Sequence, residues 1–286
     1  MRRYPPELIA SLRKRDGGAE RSLRDLLTEL APHGLAACWL GHGSVVVTLG
    51  NLTIAVDPVL SDRIGVRVGR RTIGLSRREP APISPEALRG VDAILITHAH
   101  FDHLDRPTLA ALASAQTTVI VPPRCARLIP EGFARVHELP SGSVVEIGGA
   151  TIRAHTPRHW GSRAWFDRRR GFCAYEVRHP EGSVLFTGDT AETNTFDDVR
   201  DLDLAVFGIG AYEPWEHMHA TPEQVWRMFD RTGARYLLPV HHSTFELSDE
   251  PMDEPMRRLM TCACDHPDRV IRESVGEVVV IDPSSA

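Results

Sequence analysis

Thr97-His98-Ala99-His100-Phe101-Asp102-His103 places three histidines and an aspartate within six residues. Immediately before it, Val91-Asp92-Ala93-Ile94-Leu95-Ile96 is a short apolar run rich in branched residues, the pattern of a buried strand. The cluster therefore begins where a strand gives way to a loop. Neutral imidazole and carboxylate are ligands for zinc, manganese or iron. His98 and His100 share the parity of an extended chain and point the same way, and a turn at Asp102-His103 can bring a second pair of ligands round. Four such side chains suit two metal ions better than one. With 14 histidines in 286 residues, a cluster this dense right after a strand is not the work of chance.

One loop cannot complete two coordination shells, so further ligands are expected at other strand ends. Three candidates stand there. His159 follows the strand Thr151 to His155. Asp189 follows Ser183 to Thr187, behind a glycine that permits a tight turn. His241 follows Arg235 to Leu238, with His242 directly beside it.

Working outward, residues 1–34 read as a helical lead-in, with Leu23, Leu26, Leu27 and Leu30 at helical spacing. A surface helix packed on the core is the reading; an interfacial helix at a membrane surface is the alternative. From residue 35 to 286 the chain reads as one domain. Strands are expected at Ala36 to Leu40, Ser44 to Leu49 and Leu52 to Val56. The segment 57–83 reads as one long, weakly patterned loop rich in Gly, Arg and Pro. A helix is expected from Ser84, with serine as N-cap and proline at the first helical position. Beyond the cluster, Pro107 to Ser114 reads as a helix. Strands are expected at Thr117 to Val121, Arg135 to Glu138, Ser143 to Ile147, Thr151 to His155, Phe172 to Arg178 and Ser183 to Thr187. Leu204 to Phe207, Arg235 to Leu238 and Val278 to Ile281 are expected strands too. Thr221-Pro222-Glu223-Gln224 is a capping box opening a helix, and 249–264 reads as another. The alternation of strand runs with mixed segments resembles two similar halves. An α/β (α+β) fold in four αββα layers follows.

Composition narrows the function classes. Hydrophobic residues at 42% and charged residues at 25% are ordinary for a globular domain. A net charge of −5 argues against nucleic acid as a partner. The five scattered cysteines do not form a disulfide framework. Neither a signal peptide nor a long apolar run is visible, so a cytoplasmic location without a transmembrane segment is expected.

The order His98-x-His100-x-Asp102-His103, then His159, Asp189 and His241, resembles the metallo-β-lactamase superfamily. A narrower likeness is to the branch holding N-acyl-phosphatidylethanolamine-hydrolysing phospholipase D and ascorbate-6-phosphate lactonase. It is carried by residues 39–44, 57–61, 158–163, 208–214 and 241–245, and the whole likeness spans roughly residues 36–282. At the last of these stretches, His242 and Ser243 replace the tryptophan and glycine usual after the histidine ligand, and His241 is chosen from register.

The resemblance implies that His98, His100 and His159 bind one metal, that Asp102, His103 and His241 bind the second, and that Asp189 bridges. Two divalent ions are implied, zinc foremost, with manganese or iron as alternatives. Such a pair shares a water and lowers its pKa from about 15.7 towards 7, giving a bridging hydroxide at neutral pH. Thr97 and Asp57 are candidates to orient ligands.

Asp102 and His219 are the catalytic candidates, His219 as a proton donor or a phosphate contact. His42, Arg163 and Tyr212 are candidates for substrate binding. The loop Arg163 to Arg170 mixes aromatic and cationic residues suited to a phosphate-bearing or amphipathic substrate. The expected function is binuclear hydrolysis of a phosphodiester in a small molecule or lipid, with peripheral membrane contact open. The alternatives are a lactonase or esterase acting on a phosphorylated sugar acid, and a non-hydrolytic metal protein. A redox site on this fold would be expected to carry glutamate at position 100, where this chain has histidine.

Overall fold

The computed structural model describes residues 34–69, 71–163, 167 and 169–281. The expected lead-in helix at 1–34 lies almost wholly outside the described residues, as do Trp165, Phe166 and Arg168 of the cationic loop. In chain order the strands before the first helix are β1 (Leu35–Gly41), β2 (Ser44–Leu49), β3 (Leu52–Val56), β4 (Arg63–Val68), β5 (Arg71–Ser76) and β6 (Ala93–Leu95). Helix α1 (Arg106–Leu112) leads to β7 (Thr118–Val121), β8 (Arg135–Glu138), β9 (Val144–Ile147), β10 (Ala150–His155), β11 (Ala174–His179), β12 (Gly182–Phe186) and β13 (Leu204–Gly208). Then come α2 (Pro222–Thr232), β14 (Tyr236–Val240), α3 (Glu254–Cys262) and β15 (Val278–Ile281).

The strands assemble into a seven-stranded sheet ordered β15-β1-β2-β3-β6-β7-β8 and a six-stranded sheet ordered β14-β13-β12-β11-β10-β9. Residue alternation along each strand explains why the sheets stack. In β1, Leu35, Ala37 and Trp39 enter the core between the sheets, while Ala36, Cys38 and Leu40 join the cluster on the outer face with Leu109 and Leu112 of α1. In β12, Val184 and Phe186 face inward, and Leu185 packs outward with Val225, Met228 and Phe229 of α2 and Leu259 of α3. Strands apolar on both faces need a layer on each side. The expected four-layer αββα sandwich is the observed one.

Both sheets combine antiparallel pairs with parallel ones: β3, β6, β7 and β8 run parallel in the first, and β12, β13 and β14 in the second. The carboxyl ends of parallel strands are where α/β proteins place their sites. Here the loops after β3, β6, β12, β13 and β14 open at such ends.

Two expectations are corrected. The stretch 57–83 is not one loop, because β4 and β5 form an antiparallel hairpin within it. Arginines and glycines hid its alternation. Gly65 and Gly74 pair across it so closely that a Cβ on either would lie 2.2 or 2.0 Å from the opposite strand's carbonyl oxygen. The helix expected from Ser84 is only a 3₁₀ turn, Pro85–Leu88, and the Ser84 side chain makes no capping bond. By contrast, the Thr221 and Gln224 side chains reciprocally cap α2.

Candidate metal centre

The residues expected to bind metal converge at one end of the sandwich. After β6 the chain is tied to β3 by Asp57, whose Oδ1 accepts from Thr97 N (2.7 Å) and whose Oδ2 accepts from Thr97 Oγ1 (2.5 Å). The turn then tightens, with His103 N and Leu104 N both donating to His100 O, and this carries Asp102 and His103 back over the strand ends. Asp189 arrives from β12 through Gly188, at φ +58°, where a Cβ would sit 2.8 Å from Thr97 Cβ. Only glycine lets these two loops approach so closely. His241 N donates to His42 O, stitching the end of β14 to the β1–β2 turn. His42, Asp57, His241 and Ser243 all have positive φ although none is glycine, a strained backbone that the surrounding packing must hold.

Four overlapping groups of donor atoms result, the atoms of each lying within 4.8 Å of one another, and two of these groups divide the expected ligands between them. One contains His98, His100, His159 and Asp189; the other contains Asp102, His103 and His241 together with His42. His98 Nε2 is 2.9 Å from His100 Nδ1, and His159 Nε2 is 3.4 Å from the same atom. Asp189 Oδ2 sits between the groups. It lies 3.6 Å from His98 Nε2, 3.7 Å from His159 Nε2, 3.2 Å from His103 Nε2 and 3.3 Å from His241 Nε2.

The orienting partners are equally specific. His103 Nδ1 donates to Asp57 Oδ2 at 2.7 Å, and His159 Nδ1 to Met218 O at 3.1 Å. Both bonds leave Nε2 aimed inward, the arrangement that fixes a ligand imidazole's tautomer. Yet His103 Nε2, His241 Nε2 and Asp189 Oδ2 are buried with no hydrogen-bond partner among the described residues. Buried polar atoms are seldom left unsatisfied, so three converging on one point require a further group there. Five imidazoles and two carboxylates fit divalent metal ions.

Electrostatics supports the same fit. Burial holds His98 and His159 well below the ordinary histidine range, so they are neutral and ready to ligate. Burial also opposes charge on His103 and His241, but Asp189 and Asp102 outweigh it, pulling His103 well up and His241 to about 9. Without a cation, protons held there balance the carboxylates. A metal ion would replace those protons.

The substrate candidates are placed differently. His42 is 1% exposed, and its Nε2 lies 2.9 Å from Asp102 Oδ2, so it stands behind a ligand. The Tyr212 hydroxyl donates to Glu254 Oε1 under the Arg258 guanidinium, within the packing of α3. Arg163 Nη1 donates to Ala99 O and Leu104 O, clamping both ends of the ligand turn. His219 reaches the centre, with Nδ1 3.9 Å from Asp189 Oδ2 and its ring 5.0 Å from that of His159. His242 is turned away, its ring 4.8 Å from that of Trp39.

Two supports carried no sequence signal of this role, although Trp160 lies in the stretch 158–163. Tyr175 of β11 donates its hydroxyl to Ile96 O (2.9 Å), tying one sheet to the strand end of the other. The Trp160 ring packs 4.7 Å from His100 and 4.4 Å from His159.

This fold, with histidines and carboxylates gathered at one end of the sandwich, is of the metallo-β-lactamase type. Residues 53–242 match the beta-lactamase superfamily domain, and the chain belongs to that superfamily. It is 32% identical over 248 residues to an uncharacterized protein of Mycobacterium tuberculosis (strain H37Rv), covering 80% of this chain and 64% of that one. The chain thus spans less than two thirds of that relative. It is 28% identical over 272 residues to N-acyl-phosphatidylethanolamine-hydrolyzing phospholipase D 1 of Caenorhabditis elegans, covering 86% and 75% of the two chains. Among solved structures it superposes on a possible metal-dependent hydrolase of Veillonella parvula with a TM-score of 0.69 at 16% identity, covering 87% of this chain and all of that one. Among the described residues no helix is long and apolar enough to cross a membrane.

Proposed function

We propose that this chain hydrolyses a phosphodiester at a binuclear metal centre, with zinc the first candidate metal. The observation that carries the reading is the buried Asp189 Oδ2, which has no hydrogen-bond partner among the described residues and is flanked by two sets of imidazole donors. His98, His100 and His159 would hold one ion, Asp102, His103 and His241 the other, with Asp189 shared. Bound there, two divalent ions supply an activated water and neutralise charge on a phosphoryl oxygen.

The chain's own groups do the rest. Asp57 and Met218 O keep His103 and His159 in the tautomers that present Nε2. His42 shares Asp102 and fixes its carboxylate. Burial pushes His219 down to about 4, so at neutral pH it is an uncharged imidazole. An uncharged imidazole favours the role of phosphate contact: its N–H donates to a phosphoryl oxygen as charge develops. The phosphodiester assignment draws on the likeness to the phospholipase D relative.

The test is a side-by-side assay of the metal-loaded protein on bis(p-nitrophenyl) phosphate, an N-acyl-phosphatidylethanolamine and a sugar-acid lactone. Turnover of the two phosphodiesters with chelator-sensitive rates is expected. Turnover of the lactone alone would overturn the phosphodiester assignment.

A further inference from the structure

A cavity of about 370 Å³, apart from the metal centre, is lined by Arg67, Thr72, Phe101, Asp105, Arg106 and Arg163 among others. None of its lining residues belongs to the metal centre, although Phe101 lies between His100 and Asp102 in sequence. Its size is that of a small-molecule site.

Its charge is unbalanced. Arg67 comes from the β4–β5 hairpin, Arg106 opens α1, and Arg163 comes from the loop beyond β10. Arg67 and Arg106 are exposed, and among the described residues no carboxylate pairs with either. Arg67 Nε reaches only Gly69 O. Arg163 spends Nη1 on two carbonyls, and its guanidinium lies 4.0 Å from the Phe101 ring centroid. The one carboxylate in the lining, Asp105, is buried and accepts from Ser61 Oγ and Thr108 Oγ1, both at 2.5 Å. Burial and the nearby Arg106 and Arg170 push Arg163 down to about 10, against the opposing pull of Asp105. Like charges gathered round a pocket are relieved by an anion, and two guanidiniums can bind phosphate oxygens in bidentate fashion. Pro107, Ala110 and Pro130 supply an apolar wall for the remainder of a ligand.

We propose that this cavity binds a phosphomonoester, with Arg67 and Arg106 gripping the phosphate and Arg163 joining it to the turn that carries His100, Asp102 and His103. The site is independent of what the metal centre hydrolyses. Its ligand is a dianionic phosphate on a small apolar or polyol group, whether soluble or presented by a lipid headgroup.

The test uses the metal-loaded full chain. Calorimetric titration with glycerol 3-phosphate probes the soluble source, and co-sedimentation with vesicles containing phosphatidic acid probes the lipid source. At least one probe is expected to bind, and the double variant Arg67→Ala/Arg106→Ala is expected to weaken it at least tenfold. Both substituted residues are exposed, so metal content and circular dichroism should match the wild type. Phosphate held at the metal centre would survive the double substitution. Unchanged affinity in that variant, or failure of both probes on the wild-type chain, would overturn the proposal.

Discussion

Asp57 Oδ2 lies 2.7 Å from His103 Nδ1, and the other nitrogen of that ring, Nε2, faces Asp189 Oδ2 at 3.2 Å. A carboxylate on one side of the imidazole thus sets what the other side offers to a cation. Asp57 also accepts from both the backbone and the hydroxyl of Thr97, so one buried side chain fixes the loop and the ligand together. Substituting Asp57→Ala should weaken metal binding about 10–100-fold, the usual cost of losing an orienting partner. Competition against a chromogenic chelator measures this; unchanged affinity would show that His103 needs no such support.

His219 should matter to turnover and not to metal content. In the proposed role of phosphate contact, His219 is a group whose loss in His219→Ala should lower kcat about 10²–10³-fold. KM and the metal-to-protein ratio should stay near wild type. A proportionate loss of metal would place His219 among the ligands instead.

Tyr175 tests the joint between the sheets. Its hydroxyl satisfies Ile96 O, in a fully buried setting just before the ligand turn. Tyr175→Phe leaves that carbonyl unpaired and should cost about 1–3 kcal/mol in denaturant unfolding. A neutral substitution would mean that Ile96 O finds another donor.

Away from the centre, Arg258 links two helices, donating to both Glu223 oxygens (2.9 and 2.7 Å) and to Glu254 Oε1 (3.2 Å). The Arg258 hydrogen bonds hold Glu223 down to about 2, from an ordinary value of 4.5. Because the folded-state value is the lower one, the stabilisation is present above about 4.5 and is lost as pH falls towards about 2. Arg258→Met should therefore be less stable than wild type at pH 7, by a modest amount because the pair is partly exposed. The gap should narrow in urea titrations carried below about pH 4.5. A gap that does not change with pH would assign the effect to packing over Tyr212.

The strands and the four layers were legible because alternation and short branched runs leave a local trace. So was the gathering of His98, His100, Asp102, His103, His159, Asp189 and His241, each of which follows a strand. What could not be read locally depends on contacts distant in the chain. His42 could be taken for a pocket residue because its place behind Asp102 depends on the β1–β2 turn meeting a loop sixty residues later. Tyr212 looked like a pocket residue, yet it is spent on α3, and Arg163 holds the ligand turn and lines the separate cavity beside α1 instead of the metal centre. The β4–β5 hairpin was missed because facing glycines and arginines obscure its period.

The central claim is that two metal ions sit at this centre with Asp189 between them. The most direct measurement is the metal-to-protein ratio, by inductively coupled plasma mass spectrometry, of the reconstituted chain beside its Asp189→Ala variant. Close to two equivalents are expected for the wild type and no more than one for the variant. A wild-type ratio that saturates at one or below, or a variant that keeps two, would contradict it.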